Sequence, residues 1–248
     1  FIISGEIPNV FNALFETISG YTTTGATILS DVESLSKCLL FWRSFTHWIG
    51  GMGVLVFMLS ILPLAGGNNM HILRAESPGP SVGKLVPRLR STAKILYAIY
   101  AALTFIEFVL LLLGGMSLFD AVTTAFATAG TGGFGIKNSS MAEYSMYIQN
   151  VVAIFMVLFG VNFAIYFLFL IKKPKEALKS EELRTYLGII FISTIVIGFN
   201  IKDSFSSIWV ALQQAFFQVA SIITTTGFST VDFNTWPALS KTIIVILM

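Results

Sequence analysis

The chain alternates two kinds of apolar stretch. Long runs at 39–64, 94–113, 147–171 and 186–199 carry few charges and predict membrane-crossing helices, because about 20 helical residues cross the roughly 30 Å hydrocarbon core. Between them lie shorter, mixed stretches at 12–20, 117–129 and 206–223. The first is too short to cross, and the set predicts helices that enter the membrane and turn back. Pro8 suits the first turn of the first helix, with Asn9 just inside it, and Ser117 and Asp120 suit the cap of the second. Polar residues at 31–36 and 137–144 predict loops on one side. Residues 65–93 and 172–184 predict charged connections on the other. Residues 1–7 read as the outer end of a leading span, and Trp236-Pro237 opens a final one.

Each short stretch runs into a Thr/Gly strip. Thr22-Thr23-Thr24-Gly25 returns letter for letter as Thr224-Thr225-Thr226-Gly227, and Gly130-Thr131-Gly132-Gly133 holds the same place between them. Asn12-Ala13, Asp120-Ala121 and Gln214-Ala215 each stand at the same distance before the last glycine of their strip. Gly25, Gly133 and Gly227 are 108 and 94 residues apart. Recurrence at such a period marks an internal repeat, here of span, re-entrant helix, strip and span.

Composition places the repeat. Hydrophobic residues make up 55% of the chain and charged ones 11%, with a mean hydropathy of +0.80, which fits a multi-span membrane protein. Within a bilayer, non-helical backbone survives only when buried in protein or lining a watery cavity. β-Branched threonines followed by glycine make a poor helix, so the strips should be extended, with carbonyls free to face a ligand. Rings of such carbonyls replace the hydration shell of a cation in potassium filters. Each short helix would also aim the negative end of its dipole at the same place. The candidate ion-binding residues are Thr22, Thr23, Thr24 and Gly25; Gly130, Thr131, Gly132 and Gly133; and Thr224, Thr225, Thr226 and Gly227. K⁺ is the expected ligand, and no organic cofactor or catalytic residue is expected. The plainer alternative is close helix packing through small residues.

The net charge is +2, but its distribution matters more. Arg74, Lys84, Arg88, Arg90 and Lys94 gather at one connection, and Lys172, Lys173, Lys175, Lys179 and Arg184 at the other. The positive-inside rule puts both in the cytoplasm and the strips toward the outside. Cys38 is the only cysteine, so no internal disulfide is expected. The chain opens at Phe1 without a basic leader and reads as an internal piece of a longer protein.

A few polar residues sit inside apolar stretches. Arg43 and His47 share a helix face; Arg43 is expected to snorkel to the outer surface and His47 to bond a neighbouring short helix. Gly50, Gly51 and Gly53 predict close helix contact. Glu16 could attract cations behind the strip or hold the strip by hydrogen bonds. Glu107, in mid-span, requires a protein partner, as at a subunit contact. Asn162 predicts an interhelical hydrogen bond. A rival from another class, an intramembrane hydrolase using a hydroxyl and His47, has no repeated Ser–His spacing and no need of three strips. A second rival is a non-conducting subunit whose repeats only pack.

Taken together, residues 16–27 (ETISGYTTTGAT), 47–53 (HWIGGMG), Arg74-Ala75-Glu76 with Pro78-Gly79-Pro80, Thr131-Gly132-Gly133-Phe134 and 224–229 (TTTGFS) resemble the Trk/Ktr/HKT superfamily of potassium uptake proteins. Its bacterial TrkH/TrkG branch is the nearest. The resemblance implies an all-α polytopic membrane protein in which repeated span–pore-helix–span units surround a pseudo-fourfold pore with extended filter strips. On this reading 1–64 is repeat one with a truncated leading span, 94–171 repeat two and 185–248 a truncated repeat three. Residues 65–93 and 172–184 connect them, and repeat four lies outside the chain. The resemblance further implies a K⁺-selective membrane subunit in a bacterial inner membrane, a homodimer, and a cytosolic TrkA-like ring that binds nucleotides. A Na⁺-coupled KtrB-type transporter is the neighbouring alternative.

Overall fold

In the computed structural model, residues 1–61, 89–170 and 172–248 are described. Among them the regular structure is helical. The helices are α1 (Val10–Tyr21), α2 (Lys37–Ile61), α3 (Leu89–Leu113), α4 (Leu118–Ala129), α5 (Met146–Gly160), α6 (Phe163–Leu170), α7 (Pro174–Leu178), α8 (Glu181–Asn200), α9 (Ile208–Ile223) and α10 (Ala238–Leu247). Residues 94–113 and Glu181–Asn200 are long and apolar enough to cross a membrane. Arg74, Lys84 and Arg88 of the first basic connection lie outside the described residues.

Local sequence explains the boundaries. Asn9 is the cap of α1 rather than a residue inside it, and Pro8 precedes the helix: the Asn9 side chain accepts from the amides of Phe11 and Asn12. Ser117 accepts from Asp120 N at the start of α4, and Ser207 from Trp209 N at the start of α9, so each short helix has its first free amides satisfied.

The run at 147–171 is not one straight span. α5 and α6 meet at a break with an 88° bend. Val161 there is extended, Asn162 Oδ1 caps α6 by accepting from Ala164 N at 3.0 Å, and Tyr166 donates to the Leu158 carbonyl at 2.6 Å. Asn162 Nδ2 also donates to Glu182 at 3.3 Å. The expected interhelical bond therefore exists, but its site is a helix break that hydropathy alone cannot reveal.

The short helices occupy the interior. Ala121, Ala125, Ala127 and Ala129 of α4 pack in one core with Leu111, Val152 and Met156. Ala211, Ala215 and Val219 of α9 pack in another with Ile190, Ile197 and Trp236. Alanine at these positions lets neighbouring backbones approach. α1 differs: Phe11, Leu14, Phe15 and Ile18 leave an apolar face bare.

Candidate functional site

The three strips adopt one backbone design. Thr22, Gly130 and Thr224 end their helices. The next residues, Thr23, Thr131 and Thr225, are all left-handed, at φ 55°, 51° and 56°. Each donates its amide three residues back, to Gly20, Thr128 and Ile222. The following amides, of Thr24, Gly132 and Thr226, reach five back, to Ser19, Ala127 and Ser221, at 3.0, 3.2 and 2.9 Å. This is a Schellman closure, made with threonine where glycine is usual. A β-branched residue there is an outlier costing about 1–2 kcal/mol. The first two residues of each strip are thus a helix cap and a left-handed turn, not the extended backbone expected, and Gly25, Gly133 and Gly227 again have positive φ (74°, 70° and 83°).

These turns use the strip amides but leave the carbonyls free. No carbonyl oxygen of residues 22–25, 130–133 or 224–227 accepts a hydrogen bond from a described residue. Farther out the strips are tied down. Ser19 Oγ donates to the Ala26 carbonyl and Ser221 Oγ to the Phe228 carbonyl, each at 2.6 Å. Thr22 pairs with Thr24, and Thr224 with Thr226, hydroxyl to hydroxyl at 2.8 Å. In the middle unit Ala127, Gly130 and Gly132 replace these hydroxyl-bearing residues.

The strips also abut in chain order. A Cβ on Gly25 would strike the Gly132 carbonyl oxygen, and one on Gly133 would strike the Thr226 carbonyl oxygen. Gly132 and Thr226 hold the same position in successive strips. The corresponding seat beside Gly227 is open, with nothing within 4 Å. Only glycine fits the two closed seats, for φ and for space.

The buried polar residues brace this arrangement. Arg43 does not snorkel: it is 2% exposed, and its Nε lies 3.3 Å from Glu16 Oε2. Glu16 Oε1 accepts from Thr27 Oγ1 and, at 2.8 Å, from Ile28 N, so it holds the first strip's outer end. The Arg43 guanidinium lies 4.1 Å from the Phe134 ring centre, and His47 stacks on the same ring at 4.1 Å. His47 thus bonds the second strip, through Phe134 N at 3.5 Å, rather than a short helix. Gln214 gives the third unit its own brace, accepting from Thr230 and donating to Gln149. Glu107 is fully buried, with neither oxygen hydrogen-bonded to a described residue. Gly50 and Gly51 make close contacts, facing Tyr21–Thr23 and Gly130 respectively.

Sequence reading missed Tyr100, Gln149, Gly160 and Tyr186, which join consecutive units. Their signal was an offset: Gly160 lies 109 residues after Gly51, close to the strip repeat. Outside the membrane, Lys137 donates to Glu143 at 2.7 Å. That bond holds the Glu143 carboxyl below, and the Lys137 amine above, its ordinary value.

Relatives bear on this geometry. The profile of the TrkH cation transport proteins matches residues 2–248. The chain belongs to the TrkH family. It is 39% identical over 244 residues to the Trk system potassium uptake protein TrkH of Escherichia coli K12, covering 95% of this chain and 50% of that protein. It is 35% identical over 251 residues to TrkG of the same organism, covering 99% and 51%. The crystal structure of the potassium transporter TrkH from Vibrio parahaemolyticus superposes with a TM-score of 0.80 at 33% identity, covering 96% of this chain and 49% of that one. The chain spans about half the length of the curated relatives it matches. It is an all-helical, multi-pass membrane member of the TrkH family.

Proposed function

We propose that this chain forms three quadrants of a potassium uptake pore. The observation that carries the reading is the set of strip carbonyls with no hydrogen-bond partner among the described residues, in three strips that touch in sequence order. Non-helical backbone at membrane depth is stable where it lines a watery cavity, and a partly dehydrated alkali cation is a partner that three such strips can share. Main-chain oxygens of Thr22–Gly25, Gly130–Gly133 and Thr224–Gly227 supply the ligands. The C-terminal ends of α1, α4 and α9 add negative potential, and K⁺ passes down its electrochemical gradient without catalysis. The relatives' names, potassium uptake and potassium transport, support the choice of ion.

A fourth strip beside Gly227 completes the ring, and the bare face of α1 fits a further span. Homodimer formation, a TrkA-like nucleotide-binding ring on the basic cytoplasmic connections and a bacterial inner-membrane location complete the proposal by family likeness. The division into repeats at 1–64, 94–171 and 185–248 belongs to it too. Replacing Gly25 or Gly227 by Ser in the intact protein tests the reading. Transport of K⁺ over Na⁺ in reconstituted vesicles should fall about tenfold or more, a loss of roughly 1.4 kcal/mol of discrimination. An unchanged ratio at unchanged protein level contradicts it.

A further inference from the structure

The contacts between consecutive units repeat in a detail that a ring of carbonyls does not require. In the first contact, Tyr100 on α3 donates its hydroxyl to the Trp48 carbonyl on α2 at 3.0 Å. A Cβ on Gly51 would lie 2.8 Å both from that hydroxyl and from the Cα of Gly130. In the second, Tyr186 on α8 donates to the Val157 carbonyl on α5 at 3.1 Å. A Cβ on Gly160 would strike that hydroxyl and lie 2.8 Å from the Thr224 methyl carbon.

The outgoing helices and the strips agree in register, whereas Tyr100 and Tyr186 are 86 residues apart and reach the same place from different positions on their helices. Trp48 to Val157 and Gly51 to Gly160 are both 109 residues, and Gly130 to Thr224 is the strip spacing of 94. Each contact therefore joins a tyrosine of the incoming helix, a glycine of the outgoing helix and the first residue of the next strip.

Local backbone need does not explain the recurrence. Val157 sits at the broken end of α5, where Val161 N turns to the Leu158 carbonyl instead, so Tyr186 caps a carbonyl left without its helical partner. Trp48 lies inside the continuous α2, where Tyr100 is a second donor to an oxygen with two lone pairs. Two different local situations arrive at one geometry, and what they share is the strip.

We propose that Tyr100 with Gly51, and Tyr186 with Gly160, are positioning residues that fix the height of the first filter residue in the second and third strips, Gly130 and Thr224. They thereby set discrimination among alkali cations. The proposal rests on the filter reading, because a filter selects through the spacing and field of its oxygens. Glycine brings the outgoing helix against the strip. The tyrosine hydroxyl locks that helix to the span of the next unit, so the strip cannot slide along it.

The test uses the intact protein reconstituted in vesicles, with Rb⁺ and Na⁺ uptake measured per inserted protein. Tyr100→Phe and Tyr186→Phe keep the ring and remove only the hydroxyl. Each should lower the Rb⁺/Na⁺ uptake ratio about fivefold, the worth of one neutral hydrogen bond, and Gly160→Ala should lower it further. Tyr166→Phe removes a hydroxyl from the same break that bonds Leu158 and is not among the atoms against Gly160, and should leave the ratio at the wild-type value. Wild-type ratios in both Tyr100→Phe and Tyr186→Phe, or an equal fall in Tyr166→Phe, overturn the proposal. Gly25→Ser separates the two levels. If it changes the ratio and the tyrosine variants do not, the positioning role alone fails. If Gly25→Ser leaves the ratio unchanged, the filter reading fails and the positioning role with it.

Discussion

Threonine at 23, 131 and 225 is held where β-branched residues rarely sit, and three such outliers in one register are sustained only by the contacts around them. The first of these contacts is the pair Glu16–Arg43, buried to 1% and 2% exposure. Arg43→Met leaves the carboxylate uncompensated and should cost about 3–5 kcal/mol, read as a lower unfolding temperature of the purified protein. Glu16→Gln combined with Arg43→Met should recover much of the loss. No recovery in the double variant would mean that Arg43 acts through its packing on Phe134 rather than through charge. At this scale the sequence is legible where letters recur: the TTTG strips share one backbone, although each opens on a helix cap and a left-handed threonine rather than the extended chain expected. It was misleading for Arg43, because snorkelling follows from position along one helix, whereas the partner that buries the side chain lies 27 residues away on another. The same limit makes a neighbouring short helix the expected partner of His47. Its real partner, Phe134, is known only once strips one and two are side by side.

Among elements, the short helices are held by different means at matching positions. The first and third units tie helix to strip through Ser19 and Ser221, and the second has Ala127 there. Ser221→Ala should therefore destabilise the protein by about 1 kcal/mol, measured by denaturation in detergent, while Ala127→Gly should cost only the glycine penalty in a helix. An equal response to both would show that the hydroxyl tie contributes nothing. The outer loops form a second set of joints. Asn138 exchanges hydrogen bonds with Val32, Glu33 and Asp31, and Met141 N donates to the Ser229 carbonyl at 2.9 Å. Asn138→Ala should loosen the first loop pair, seen as faster hydrogen exchange at the Val32 amide, and leave the Met141 amide protected. Hydrophobic pattern located the spans and the short helices because burial follows period and length. It gave no sign of the α5–α6 break, since 147–171 is apolar on both sides of Asn162 and the break is bonded by Tyr186 and Glu182 from elsewhere in the chain.

Across the whole molecule the strips touch in chain order: strip one on strip two, strip two on strip three, and an open seat at Gly227. A heterologous contact that repeats in one sense closes into a ring if the rotation allows. In the intact protein Gly227→Ala should then reduce K⁺ uptake as severely as Gly25→Ala. If Gly227 has no neighbour there, the change costs only the strain of a left-handed φ, about 1 kcal/mol, and uptake persists. Selective passage requires strip carbonyls to replace the water around a cation, and heavy-ion diffraction tests that most directly. Crystals of the intact protein grown in Tl⁺, a K⁺ mimic with strong anomalous scattering, should show anomalous peaks flanked by main-chain oxygens of residues 22–25, 130–133 and 224–227. Tl⁺ bound elsewhere, with those oxygens turned away from any peak, would contradict the account.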